Sequence, residues 1–125
     1  MTEPAELLLA LTTEADLPRA KKLASALLER RLLACVSLMP IHSFFRWDDQ
    51  LQIAEEVQLL MKTSPERVKQ LRDAVLALHS YDTPEWLCWP ATASPAYGQW
   101  ALGELSSDAP PPAPEGTPAN GRQAE

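Results

Sequence analysis

The sequence is poor in cysteine, in basic residues and in long apolar runs. Its 125 residues hold two cysteines, Cys35 and Cys88. Two thiols make no disulfide framework, and there is no Cys-x-x-Cys, no zinc-spaced Cys/His cluster and no His-Glu-x-x-His. Eleven Lys and Arg stand against seventeen Asp and Glu, for a formal charge of −6. That balance lacks the cationic footprint that phosphate neutralisation needs, so nucleic acid and anionic membranes are not expected partners. No apolar stretch approaches the ~18–20 residues of a membrane span. The opening Met-Thr-Glu-Pro-Ala-Glu lacks the basic start and apolar core of a secretory signal. A soluble chain of a reducing cytoplasm is the expectation.

Proline, by contrast, is plentiful. Five of the twelve prolines fall in residues 107–125, which carry no aromatic or large aliphatic side chain. Such a segment cannot bury enough surface to offset its ordering entropy. Residues 1–106 are therefore expected to form one domain, and residues 107–125 a disordered Pro-rich tail.

Within the domain the patterns alternate. Leu7 to Leu11 has the length of a buried strand. Asp16 is a good N-cap, with Pro18 in the first turn of a helix whose apolar face carries Leu17, Ala20, Leu23, Ala24, Leu27 and Leu28. Leu33 to Trp47 and Leu51 to Thr63 read as long strands joined by the turn Asp48-Asp49-Gln50. Pro40 places the first of them at a sheet edge. Ser64 and Pro65 open a second helix with an apolar stripe of Val68, Leu71, Val75 and Leu78. His79 to Pro84 is a loop, Glu85 to Thr92 a strand interrupted by Pro90, and Ser94-Pro95 starts a short helix.

The order β-α-β-β-α-β plus a helix is the ferredoxin-like split βαβ arrangement, class α+β. It predicts a four-stranded antiparallel sheet, covered on one face by two helices, with the second and fourth strands at its edges. An edge strand of ~15 residues is longer than a lone small domain needs, and unpaired edges invite other chains. A closed ring of subunits is the expected assembly.

Five segments in this order carry a family resemblance. They are Glu29-Arg30-Arg31-Leu32-Leu33-Ala34-Cys35, Phe45-Arg46-Trp47, Glu55-Glu56-Val57, Met61-Lys62-Thr63, and His79 through Glu85. Together they resemble the CutA family of divalent-cation tolerance proteins. The resemblance implies a PII-like homotrimer, a role in the response to divalent metal ions, and copper or another divalent cation as a possible ligand. In some members of that family copper is held by a Cys just before the first helix and a His-His pair in the loop after the second. This chain has Thr12 and Leu78-His79 there, which leaves His79 as first metal candidate and Cys35 as next.

Each candidate also has a plainer reading. Cys35, in an apolar strand, fits an inert buried thiol, and Cys88, between Leu87 and Trp89, fits the core still better. On opposite sheet edges the two thiols are not expected to form an intrachain bridge. His79 suits either a functional loop or a cap on the preceding helix. Glu56 and Lys62, on one strand face, suit a salt bridge, or a polar inter-subunit cleft walled by Trp47, Glu56, Lys62, Tyr81 and Glu85. Trp86, Trp89 and Trp100 suit core and interface packing. With no nucleophile–base pair and no spaced carboxylate pair, the chain is not expected to be an enzyme.

Overall fold

The computed structural model describes residues 3–106. The tail expected at 107–125 lies outside the described residues. Seven elements follow in order: β1 (Ala5–Glu14), α1 (Leu17–Glu29), β2 (Cys35–Trp47), β3 (Gln50–Thr63), α2 (Val68–Leu78), β4 (Leu87–Ala93) and α3 (Pro95–Ser106). The strands form one antiparallel sheet in the order β2-β3-β1-β4. This is the expected ferredoxin-like arrangement, with β2 and β4 at the edges.

Local chemistry explains the joints. Asp16 is extended, and its Oδ1 accepts the Arg19 N–H at 3.0 Å, capping α1. α1 ends in a Schellman pattern, with Arg31 N–H to Leu28 O and Leu32 N–H to Leu27 O. Arg31 therefore sits at φ 56, a position that usually prefers glycine. Asp48 and Asp49 both have positive φ, 55 and 61, so the two-residue hairpin turn is of the primed kind that matches strand twist. Ser64 caps a preliminary turn rather than the helix itself: its hydroxyl accepts the Arg67 N–H at 3.2 Å, and α2 begins at Val68.

Directly opposed residues in antiparallel strands share a face, so the register sorts the side chains. Ala10 opposes Met61, Thr12 opposes Leu59, and Leu38 also opposes Leu59. This face lies under α1 and α2. Leu27, Leu59, Met61, Leu71 and Val75 are fully buried there, and each contributes roughly 1.5–3 kcal/mol of apolar transfer. The expected helix faces are narrower than their sequence stripes. Leu17, Leu28 and Leu78 are exposed, because only Ala20, Leu23, Ala24, Leu27, Leu71 and Val75 point at the sheet.

The opposite face carries Leu9, Leu11, Leu60, Ile41 and Trp89, all at least partly exposed. Only one end of it is covered. There α3 lays Gly98 against Ala5 and Ala93, burying Leu7, Ala101 and Leu105. Arg67 Nε donates to Leu105 O at 2.9 Å and Arg31 to Glu104 O at 3.1 Å, satisfying carbonyls at the helix's negative end. A Cβ on Gly98 would stand 2.5 Å from the Ala5 Cβ, which is fixed to backbone. Gly98→Ala should therefore destabilise by about 1–2 kcal/mol despite its better helix propensity, as thermal unfolding would show.

One cysteine expectation needs correction. Cys88 is exposed, not core: it stands on β4, an edge strand of the sheet. Trp86 packs on the core, but Trp89 and Trp100 are 40% and 45% exposed in the single subunit. Cys35 is half-buried and unpaired, and the two thiols do lie on opposite edges.

Candidate functional site

A groove of about 1000 Å³ opens on the less covered sheet face. Its floor is built from Thr13, Gln52 and Glu56, one wall from Phe45 and Trp47 at the far end of the hairpin, and the other from residues 80–85. The loop is placed by two buried side chains. The His79 side chain is fully buried; its Nε2 donates to Thr13 O at 2.7 Å, and its Nδ1 accepts the Tyr81 N–H at 3.0 Å. The ring thus bridges β1 and the loop and caps no carbonyl of α2.

Glu14, 2% exposed, is the second anchor. Its carboxylate accepts the Ser80 N–H at 3.0 Å, the Ser80 hydroxyl, and the Ala15 N–H at 3.1 Å. Burial alone would raise its pKa, but these hydrogen bonds outweigh burial and hold the carboxyl below its ordinary value. The loop so fixed turns the Tyr81 hydroxyl onto Glu56 Oε2 at 2.7 Å. Burial, and then the bond to the Glu56 carboxylate, push the Tyr81 phenol well above its usual range.

Of the five expected cleft residues, Trp47, Glu56, Tyr81 and Glu85 line the groove. Lys62 does not. Six residues along β3 separate it from Glu56, about 20 Å at strand rise, which also excludes a salt bridge between them. Lys62 Nζ lies instead 3.8 Å from Cys35 Sγ and 3.4 Å from Ser37 Oγ. Thr13, Gln52 and Asp82 are among the other lining residues, outside the expected cleft set. Thr13 and Gln52 become visible only once the register is known.

The metal candidates do not come together. Both His79 nitrogens are engaged inside the fold. Cys35 is cross-strand from Lys62, and Lys62 from Leu9, so it sits two strands and four residues from Thr13. That is about 16 Å from the His79 anchor at ordinary strand spacings. Among the described residues no group of three or more His, Cys, Asp or Glu could hold a metal ion. The side chains of one subunit therefore do not fit a copper site built on His79 and Cys35.

Thr12, standing where the family's copper Cys was expected, is fully buried, and its hydroxyl has no partner among the described residues. Removing that unsatisfied group at constant shape should help. Thr12→Val is expected to stabilise by about 1 kcal/mol in urea unfolding.

Comparison with known proteins agrees with this geometry. A family model described as CutA1 divalent ion tolerance protein matches residues 8–104. The divalent-cation tolerance protein CutA of Archaeoglobus fulgidus is 43% identical over 72 residues, 58% of this chain and 71% of that relative. The solved CutA structure from Synechococcus elongatus superposes with a TM-score of 0.80 at 37% identity, covering 83% of this chain and 94% of the other. A CutA structure from A. fulgidus, described as periplasmic, gives 0.77 at 33% identity over 80% and 99%. With the family model spanning nearly the whole described fold, the chain belongs to the CutA1 family of divalent ion tolerance proteins.

Proposed function

We propose that the chain works as a cytoplasmic, PII-like homotrimer in the response to divalent metal ions, and that it captures a small ligand or a partner protein in its groove without turnover. The observation that carries this reading is the groove itself, concave, aromatic-walled and carboxylate-bearing, at the mouth of an otherwise open sheet face. In a trimer that face meets neighbouring copies, and the groove becomes an inter-subunit cleft. The long hairpin supports the same reading: β2 and β3 hold 13 and 14 residues and run past the core, ending in exposed Phe44, Trp47, Leu51 and Ile53. Two unpaired cysteines support a reducing compartment, although one structural relative is described as periplasmic. Capture is favoured over catalysis because the groove hydroxyl that faces a lining carboxylate, Tyr81 on Glu56, has its phenol pKa pushed up by burial and by that carboxylate and so keeps its proton.

Sedimentation velocity of the full chain tests the assembly; a monomer at micromolar concentration overturns it. The metal arm is tested by calorimetric titration with Cu(I), Cu(II) and Zn(II), repeated on His79→Ala and Cys35→Ser. The expected result is that neither variant changes the metal affinity, since one side chain is locked in the fold and the other stands alone. A tenfold loss in both would show that an assembled site recruits them together.

A further inference from the structure

The groove's chemistry narrows its ligand. We propose that it takes a small organic cation, an alkyl amine or guanidinium compound, rather than an anion or a metal ion; this rests on the ligand-capture reading above.

The charge of the lining is of one sign. Glu56, Asp82 and Glu85 line the groove, and no Lys, Arg or His joins them. The lysine that the strand pattern offers as a counter-charge, Lys62, is beside Cys35 at the other end of the sheet. An anionic ligand would enter against three carboxylates with no cation to meet it.

At the Tyr81–Glu56 pair the hydrogen-bonding character is also one-sided. Tyr81 spends its only hydroxyl proton on Glu56 Oε2. The phenol oxygen is left as an acceptor, and so is Glu56 Oε1. The pair presents two acceptors about one functional group apart and no donor. Ammonium and guanidinium groups carry three and five N–H donors and no acceptor, so they match that pair; a carboxylate or phosphate does not.

The walls fit a cation with a carbon body. Trp47, 55% exposed, and Phe45 offer ring surface beside the carboxylates. An alkyl stem packs on such rings, and a cationic head gains from the ring quadrupole. A bare metal ion needs oxygen ligands converging within about 2–2.6 Å of one point. The carboxylates here do not converge in that way, since no metal-competent group exists among the described residues. An extended cation can span carboxylates that a point charge cannot bridge.

The test uses the full-length chain in its native assembly and isothermal titration with five probes: agmatine, butylamine, butanoate, n-butanol and ATP. Agmatine and butylamine are expected to bind at one site per subunit, with affinity falling as salt rises. Glu56→Gln should weaken agmatine about tenfold while keeping an acceptor for Tyr81, and Trp47→Leu, at an exposed position, should weaken it severalfold. Glu66→Gln, exposed and outside the groove, should leave it unchanged. Butanoate or ATP binding that responds to Trp47→Leu, without agmatine binding, would overturn the cation class while leaving ligand capture standing. Agmatine affinity unchanged by both groove variants overturns the assignment to this groove. Displacement of agmatine by Zn(II) overturns the choice of an organic cation over a metal. Silence from all five probes at a confirmed trimer counts against both the cation class and small-molecule capture.

Discussion

Replacing Glu14 by Ala is expected to lower the unfolding free energy by about 3 kcal/mol. The carboxylate is 2% exposed and receives three donors, the Ser80 amide and hydroxyl and the Ala15 amide. Truncation strands these donors where little water reaches, and each stranded donor costs roughly 1–3 kcal/mol before local relaxation recovers part of it. The effect also has a pH signature. Hydrogen bonding holds the folded-state pKa of Glu14 below its ordinary 4.5 against the opposing effect of burial. A depressed folded pKa means that the stabilisation is fully present above the unfolded value and is lost as pH falls through the folded value. The stability gap between the native chain and Glu14→Gln should therefore be constant near neutrality and shrink below about pH 4. Urea midpoints at a series of pH values read this directly; a gap that widens in acid contradicts the assignment. Since Ser80 leads into Tyr81, Glu14→Ala should also loosen the loop that walls the groove, seen as faster amide exchange over residues 80–85.

How far the sequence reveals this arrangement depends on what sort of interaction is involved. Period-two alternation in β3 and the Asp16 and Pro18 start of α1 are local signals, and they placed the elements and the edges. Ser64 marked the right joint but one turn early, because a capping residue announces a reversal without fixing where regular hydrogen bonding starts. Lys62 shares a strand face with Glu56, but a six-residue offset along β3 puts about 20 Å between them. Glu14 gave no local signal. Its burial depends on Ser80, which lies 66 residues along the chain and reaches it only through the β1–α2 juxtaposition. The loop position of His79 is legible in the sequence, yet its partner Thr13 O is a backbone atom, and no side-chain motif encodes a backbone acceptor. Cys88 has apolar neighbours in sequence yet is exposed, because an edge strand's place in the sheet is not written in its own residues.

Leu60→Glu should dissociate the assembly while leaving the subunit folded. Leu60 lies three residues before the end of β3, opposite Leu11 on one side and Ser37 on the other, on the face that α1 and α2 leave open. In a lone subunit it is only half-buried, so a carboxylate there can turn to water at modest cost. In the proposed trimer, where neighbouring copies would close that face, the same carboxylate must be desolvated without a partner, at several kcal/mol per copy, and a ring repeats the cost in each subunit. The loss exceeds anything a single rim charge would cause. Sedimentation velocity should show the native chain as a trimer and Leu60→Glu as a monomer with unchanged far-ultraviolet dichroism. Leu76→Glu makes the contrast: Leu76 is 46% exposed on the outer side of α2, and the same charge there should leave the trimer intact. If Leu60→Glu remains trimeric, the open sheet face is not where the copies meet, and the groove on that face is a surface of one subunit and not a cleft between two.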